Sequence, residues 1–176
     1  PATDQTFALS LAQPANGQVT GTGGHVDVYD KQGNLTSSFD FGRKPHHMHL
    51  NPANGHIYIP NGDASVLWSI DTASPTQANS LRLGDSVEQI IVSGDGSTLY
   101  LSSRLGGSYI ARYSLLDGSS ASFSAGTWSI PLRRDSAGSF LFSLNAWDST
   151  LSVYSMTPSE TLLGTIPLGI PAGSTD

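Results

Sequence analysis

Apolar side chains along this chain come in short runs at every second position. "HVDVYD" (25–30), "HIYIP" (56–60), "TLYLS" (98–102) and "FLFSL" (140–144) all alternate in this way. That is the period of a strand with one buried face. No stretch shows a convincing helical period. Between the runs lie "PANG" (14–17 and 52–55), "GDGS" (94–97) and "DSAG" (135–138). These residues close tight hairpins, because Gly and Asn tolerate the left-handed backbone and Pro presets φ. The pattern predicts an all-β chain of hairpins.

The runs also recur at a longer interval. "FDFG", "LRLG", "FSAG" and "IPLG" end at Gly42, Gly84, Gly126 and Gly169, spaced by 42, 42 and 43 residues. Each unit has the same order. It opens with an apolar stretch ("TFALSLA", "HHMHLN", "VEQIIVS", "WSIPLRR") and a turn. A second strand follows ("QVTGT", "HIYIP", "TLYLS", "FLFSL"), then a third ("HVDVYD", "VLWSID", "YIARYS", "LSVYSM"). A short last strand reaches the glycine. Four strands in about 42 residues is the signature of a β-propeller blade. The expectation is one partial propeller domain with blades at 1–42, 43–84, 85–126 and 127–169 and a tail at 170–176. It consists of four four-stranded antiparallel sheets. These form either a complete four-blade ring or a partial ring completed by another chain, a homodimer among the options. An open arc would leave apolar sheet faces and strand edges in water.

Composition narrows the function. Charged residues make up 12% of 176 residues, the net charge is −6, and Lys31 and Lys44 are the only lysines. A nucleic-acid surface needs the opposite balance. No apolar run approaches the ~18 residues of a helical membrane span. With no cysteine, disulfides and thiol nucleophiles are excluded. That absence, the few lysines and the acidic, Ser/Thr/Gly-rich composition suit a secreted protein, extracellular or periplasmic. Asn34-Leu35-Thr36 is a glycosylation sequon.

The stretch "RKPHHMHLNPANGHIYIPNG" (43–62) holds four of the five histidines. In a propeller the first strand of a blade lines the axis. The loop entering it and the loop after the second strand share one face. Stepping by 42 residues aligns His46 with Glu88, His47 with Gln89, and Asn61 with Asn145 two units on. Arg104 and Trp147 fall in the loops beside them. His46, His47, Glu88, Arg104, Asn61, Asn145 and Trp147 are therefore the candidate mouth, suited to an anionic or hydroxylated small molecule. A titratable pair there could also move protons. His47 and His49 alternate onto one face and could give a metal two of the three or more ligands it needs. Polar filling of an axial channel is the plainer role for these imidazoles. No cofactor other than such a metal is expected. No G-x-S-x-G elbow is present, so serine hydrolysis is set aside.

The segments "KPHHMHLNPANGHIYIPNGDASVLWSID" (44–71) and "EQIIVSGDGSTLYLSS" (88–103) carry a resemblance. They are similar to the YVTN/lactonase-like propeller repeats: a Pro-His opening, an "spDG"-like turn, an "LYV"-like strand and a "V.V.D"-like strand. The resemblance implies the architecture. It implies chemistry only weakly, since lactonases, cycloisomerases, dehydrogenase subunits, copper oxidoreductases and plain binding scaffolds share the motif. Seven blades are usual in that class, and this sequence has four units. The leading expectation is a non-catalytic module binding a small ligand or a partner. The alternative is a lactonase or cycloisomerase using His, Glu and Arg at the mouth. A second is a copper or other metal oxidoreductase using the histidines. Whether the chain is an enzyme stays open at this level.

Overall fold

The computed structural model describes residues 4–10, 24–41, 45, 47–61, 65–83, 87–102, 108–157 and 159–169. Every regular element among them is a strand. The chain divides into two compact units, residues 1–87 and 88–176.

The first unit holds two antiparallel sheets. One contains β1 (Thr6–Ser10), β2 (His25–Tyr29) and β3 (Leu35–Asp40) in that order. The other contains β4 (His49–Asn51), β5 (His56–Asn61), β6 (Val66–Asp71) and β7 (Ala78–Arg82). Alternation works as the sequence predicts: in β2, Val26 and Val28 are fully buried while His25, Asp27 and Tyr29 turn the other way. Val26, Phe41, Ile57, Ile59 and Ile70 form the core, with Phe7, Leu9, Met48 and Trp68 packed against it.

The second unit repeats the plan. Its first sheet is β8 (Gln89–Val92), β9 (Thr98–Ser102), β10 (Tyr109–Ser114) and β11 (Ser120–Ser124). The last sheet is β12 (Ser129–Arg134), β13 (Phe140–Asn145), β14 (Thr150–Ser155) and β15 (Thr161–Pro167). They stack through Ile91, Tyr100, Ile110, Leu132, Leu141 and Tyr154. Fully burying one such aliphatic or aromatic side chain contributes about 1.5–3 kcal/mol.

The first sheet departs from the expected strand count. The repeat pattern makes "TFALS" an innermost strand, yet β1 pairs directly with β2: Phe7 lies opposite Val28 and Leu9 opposite Val26. In the other three sheets that place beside the third strand belongs to the second strand, as β5 beside β6. β1 is therefore a second-position strand, and its sheet has three strands among the described residues. The expected strand "QVTGT" (18–22) lies outside the described residues.

The turns follow the glycines. Gly55, Gly96 and Gly138 all have φ between 71 and 76°, where a Cβ is strained. Gly96 N–H donates to the Ser93 carbonyl at 3.1 Å and Gly138 N–H to the Asp135 carbonyl at 3.1 Å. Gly138 meets a second demand. A Cβ there would stand 2.9 Å from the Gly94 Cα, so the turns of the third and fourth sheets touch backbone to backbone.

Candidate functional site

The expected mouth residues fall in both units. His46 and Arg104 lie outside the described residues. His47 is partly buried just before β4, and His49 opens β4 opposite Tyr58. Asn61 ends β5, Glu88 precedes β8, Asn145 ends β13 and Trp147 sits in the turn after it. Among the described residues, no three His, Asp or Glu side chains are close enough to share a metal.

The two asparagines hold the fold together. Asn145 is 1% exposed. Its Nδ2 donates to Thr150 Oγ1 at 2.9 Å and to Ser152 Oγ at 2.8 Å, which uses both amide hydrogens. Its Oδ1 lies 3.1 Å from Ser129 Oγ. A Cβ on Gly126 would collide with the Asn145 side chain, so that glycine is what lets the amide sit there. Asn61 is also buried and donates from Nδ2 to the Phe41 carbonyl at 3.3 Å. Both amides end a second strand, but only Asn145 is fully engaged: the buried Asn61 Oδ1 has no hydrogen-bond partner among the described residues. Gln89, the repeat equivalent of His47, likewise bonds inward. Its Oε1 accepts from Leu132 N–H at 2.6 Å and joins the third sheet to the fourth.

Trp147 is 56% exposed and lies against Trp128, with ring centroids 5.6 Å apart and planes inclined by 31°. The backbone locks the pair in place. Trp128 has φ 56°, and Asp148 Oδ2 accepts from Thr127 N–H at 2.6 Å. A cavity of about 280 Å³ opens nearby, bordered by Asn145, Asp148, Thr150 and Ser152.

A larger cavity, about 380 Å³, lies at the opposite ends of these strands. The touching turns of the third and fourth sheets roof it. Ser93, Ser97 and Thr98 bring hydroxyls, Arg134 a guanidinium, Glu160 a carboxylate, and Leu141 and Met156 an apolar floor. Glu160, in the loop between β14 and β15, accepts from Tyr100 Oη at 3.1 Å and from Arg112 Nη1 at 3.1 Å. The Glu160 side chain is 13% exposed and that of Arg112 43%. Burial, and then the Glu160 charge, push the Tyr100 phenol well above its ordinary range, so it stays a neutral donor. Asp95 is held below the usual carboxylate range, first by the Ser93 hydroxyl and then by Ser97 N–H. Arg134 donates to the Asp135 carbonyl at 3.2 Å and pairs with no carboxylate among the described residues. Sequence reasoning misses this cavity. Its trace in the sequence is slight: Arg112 shares a strand face with the fully buried Ile110, yet its partly exposed guanidinium does not by itself demand the Glu160 carboxylate it meets.

No family model matches the chain, and no curated protein matches it. Solved structures do. One is a protein from Bacteroides uniformis assigned as a 6-phosphogluconolactonase: TM-score 0.67 and 15% identity over 97% of this chain and 56% of that one. Another so assigned, from Bacteroides fragilis, gives 0.64 and 17% over 82% and 49%. Hydrazine synthase of Kuenenia stuttgartiensis gives 0.66 and 14% over 81% and 42%. The chain spans about half the length of these proteins. At such identities the likeness is one of fold alone: this all-strand chain has the fold of β-propeller proteins.

Proposed function

We propose that the chain is a ligand-binding β-propeller module whose ligand is a small hydroxylated molecule, a polyol, sugar or sugar acid. The observation that carries this reading is the 380 Å³ cavity of the second unit. The Ser93, Ser97 and Thr98 hydroxyls can donate to and accept from ligand hydroxyls, the Asp95 and Glu160 carboxylates can accept from them, Arg134 suits a ligand carboxylate or ring oxygen, and Leu141 with Met156 gives C–H surfaces an apolar floor. The neutral Tyr100 phenol keeps Glu160 oriented. Binding is tested by calorimetry with a panel of neutral sugars, polyols and aldonic acids. Arg134→Ala is expected to weaken binding of the acids by roughly tenfold or more, the loss of about one charge-assisted hydrogen bond. An unchanged affinity in Arg134→Ala, together with a loss in His47→Ala, moves the ligand to the predicted mouth and overturns this assignment.

A second reading has one supporting observation. Proteins assigned as 6-phosphogluconolactonases are among the structures this chain resembles. On that reading His47, Glu88 and Arg104 polarise a lactone carbonyl and move a proton, and the YVTN-type repeat is the scaffold. Hydrolysis of an aldonolactone above the buffer rate, abolished in His47→Ala and Glu88→Gln, supports it.

A further inference from the structure

The chain has three tryptophans, and two of them meet in the second unit. Trp68 packs against the core of the first unit. Trp128 just precedes β12 and Trp147 follows β13, so both stand at one end of the fourth sheet. Trp147 keeps 56% of its surface in water. Burying so large a ring is strongly favourable, so an indole held outside calls for a reason. The backbone holds it there. Trp128 takes φ 56° and Ser149 φ 51°, left-handed values that a residue with a Cβ adopts only under constraint. The constraints are hydrogen bonds. The Trp128 carbonyl accepts from Ile130 N–H at 2.9 Å and from Ala146 N–H at 3.2 Å, and Asp148 Oδ2 accepts from Thr127 N–H at 2.6 Å. The two turns are thus tied together and the indole pair is set in advance. A ring already fixed loses little rotamer freedom when a partner lands on it.

The smaller cavity, about 280 Å³, adjoins the same turns. Asp148, next in the chain to Trp147, lines it, and so does Gly126, two residues before Trp128. Thr150 and Thr165 add hydroxyls to its wall. The bond to Thr127 uses one of about four acceptor positions of the exposed Asp148 carboxylate, which leaves it able to take ligand hydroxyls. Asn145 steadies the wall from behind, since its amide donates to the Thr150 and Ser152 hydroxyls. Drug-sized ligands occupy ~300 Å³ or more, so this volume suits one small ring.

We propose that Trp147 and the cavity beside it form a carbohydrate subsite that takes one neutral pyranose ring. The ring lays its C–H face on the exposed indole. Its edge hydroxyls donate to Asp148 and exchange hydrogen bonds with Thr150 and Thr165. A pyranose presents an apolar face and a hydroxyl-bearing edge at once, and that is the combination the site offers. A flat aromatic ligand would stack equally well but would strip water from the carboxylate and hydroxyls without replacing it. A sugar acid meets the Asp148 charge, whereas Arg134 in the larger cavity suits it. The two sites lie at opposite ends of the strands, and this one stands whether or not the larger cavity binds anything.

Titration of the whole chain with methyl β-glucoside and methyl β-galactoside tests this, followed through the indole N–H signals in NMR spectra. At least one glycoside is expected to shift the Trp128 and Trp147 signals saturably and to leave that of Trp68 in place. Glycerol, which has hydroxyls but no ring face, is expected to shift none. Trp147→Ala, at an exposed position, leaves the fold intact, and circular dichroism checks that. It is expected to raise the glycoside Kd by roughly tenfold or more, the effect of one central aromatic contact. Trp147→Tyr keeps a stacking face and should bind nearly as the wild type does. Loss in Trp147→Ala alone supports the subsite whatever the larger cavity holds. No saturable shift of either signal with either glycoside overturns it. Binding that survives Trp147→Ala and is lost in Arg134→Ala also overturns it, and leaves the larger cavity as the sugar site.

Discussion

Asn145 shows how one residue type can mislead a reading and still be decisive. From the sequence it is an amide in a loop-side position, aligned with Asn61, and therefore a candidate ligand donor. In the structure both its amide hydrogens are engaged within the fourth sheet. Nothing in a one-dimensional pattern says whether an amide at a strand end turns out toward a ligand or inward to the sheet. Its partner Gly126 is legible in the sequence only as a blade-end marker. The reason for that glycine is contact: any side chain there meets Asn145. Gly126→Ala is therefore expected to destabilise by about 1–3 kcal/mol, the usual cost of overpacking a filled site. Urea denaturation measures this, and an unchanged midpoint would show that the Asn145 side chain can move aside cheaply. Asn145→Ala adds a second test, since it takes away the amide that donates to the Thr150 and Ser152 hydroxyls.

At the scale of elements, most strands are legible because alternation and turn glycines agree. β5, β9 and β13 lie where "HIYIP", "TLYLS" and "FLFSL" put them. The first sheet departs from its pattern for a physical reason. β1 and β2 are separated in sequence by residues 11–24, far more than the paired strands of the other sheets, and "QVTGT" within that span has the composition of a strand. Composition alone cannot reveal which neighbour "TFALS" bonds to; the β1–β2 register does. The histidine stretch is half legible. β4 starts only at His49, and Met48 packs against the first core as expected of a residue turned into the blade. Burial then ranks two substitutions. Leu141→Ala, at a fully buried position in the second core, should cost about 2–5 kcal/mol. Met48→Ala, at a partly buried one, should fall below that range. Paired denaturation curves decide it, and the reverse order would mean that Met48 carries more of its core than its exposure implies.

For the molecule as a whole, the 42-residue interval makes the architecture legible, because every unit needs the same turns in the same places. The cavity is not legible, because Tyr100, Arg134 and Glu160 come from three segments that only stacking brings together. The turns also set how the molecule meets acid. Asp30 is held below the usual carboxylate range by the Asn34 amide first, Asp95 by the Ser93 hydroxyl first, and Asp117 down to about 2 by Ser119 N–H first. In each, the unfolded chain takes up the proton before the folded one does. The stability they lend is full above the ordinary value of 3.8 and is lost as pH falls through each folded-state value below it, about 2 in the case of Asp117. All three are well solvated, so the loss is gradual. Urea midpoints followed from neutral pH downward should hold steady and then decline below about pH 4. A midpoint indifferent to acid would show that these turns stay intact when protonated. The close approach of Gly94 and Gly138 has a consequence for engineering: a tag or loop grafted into either turn must keep both glycines, because a side chain on Gly138 would meet the Gly94 backbone and push the two turns apart.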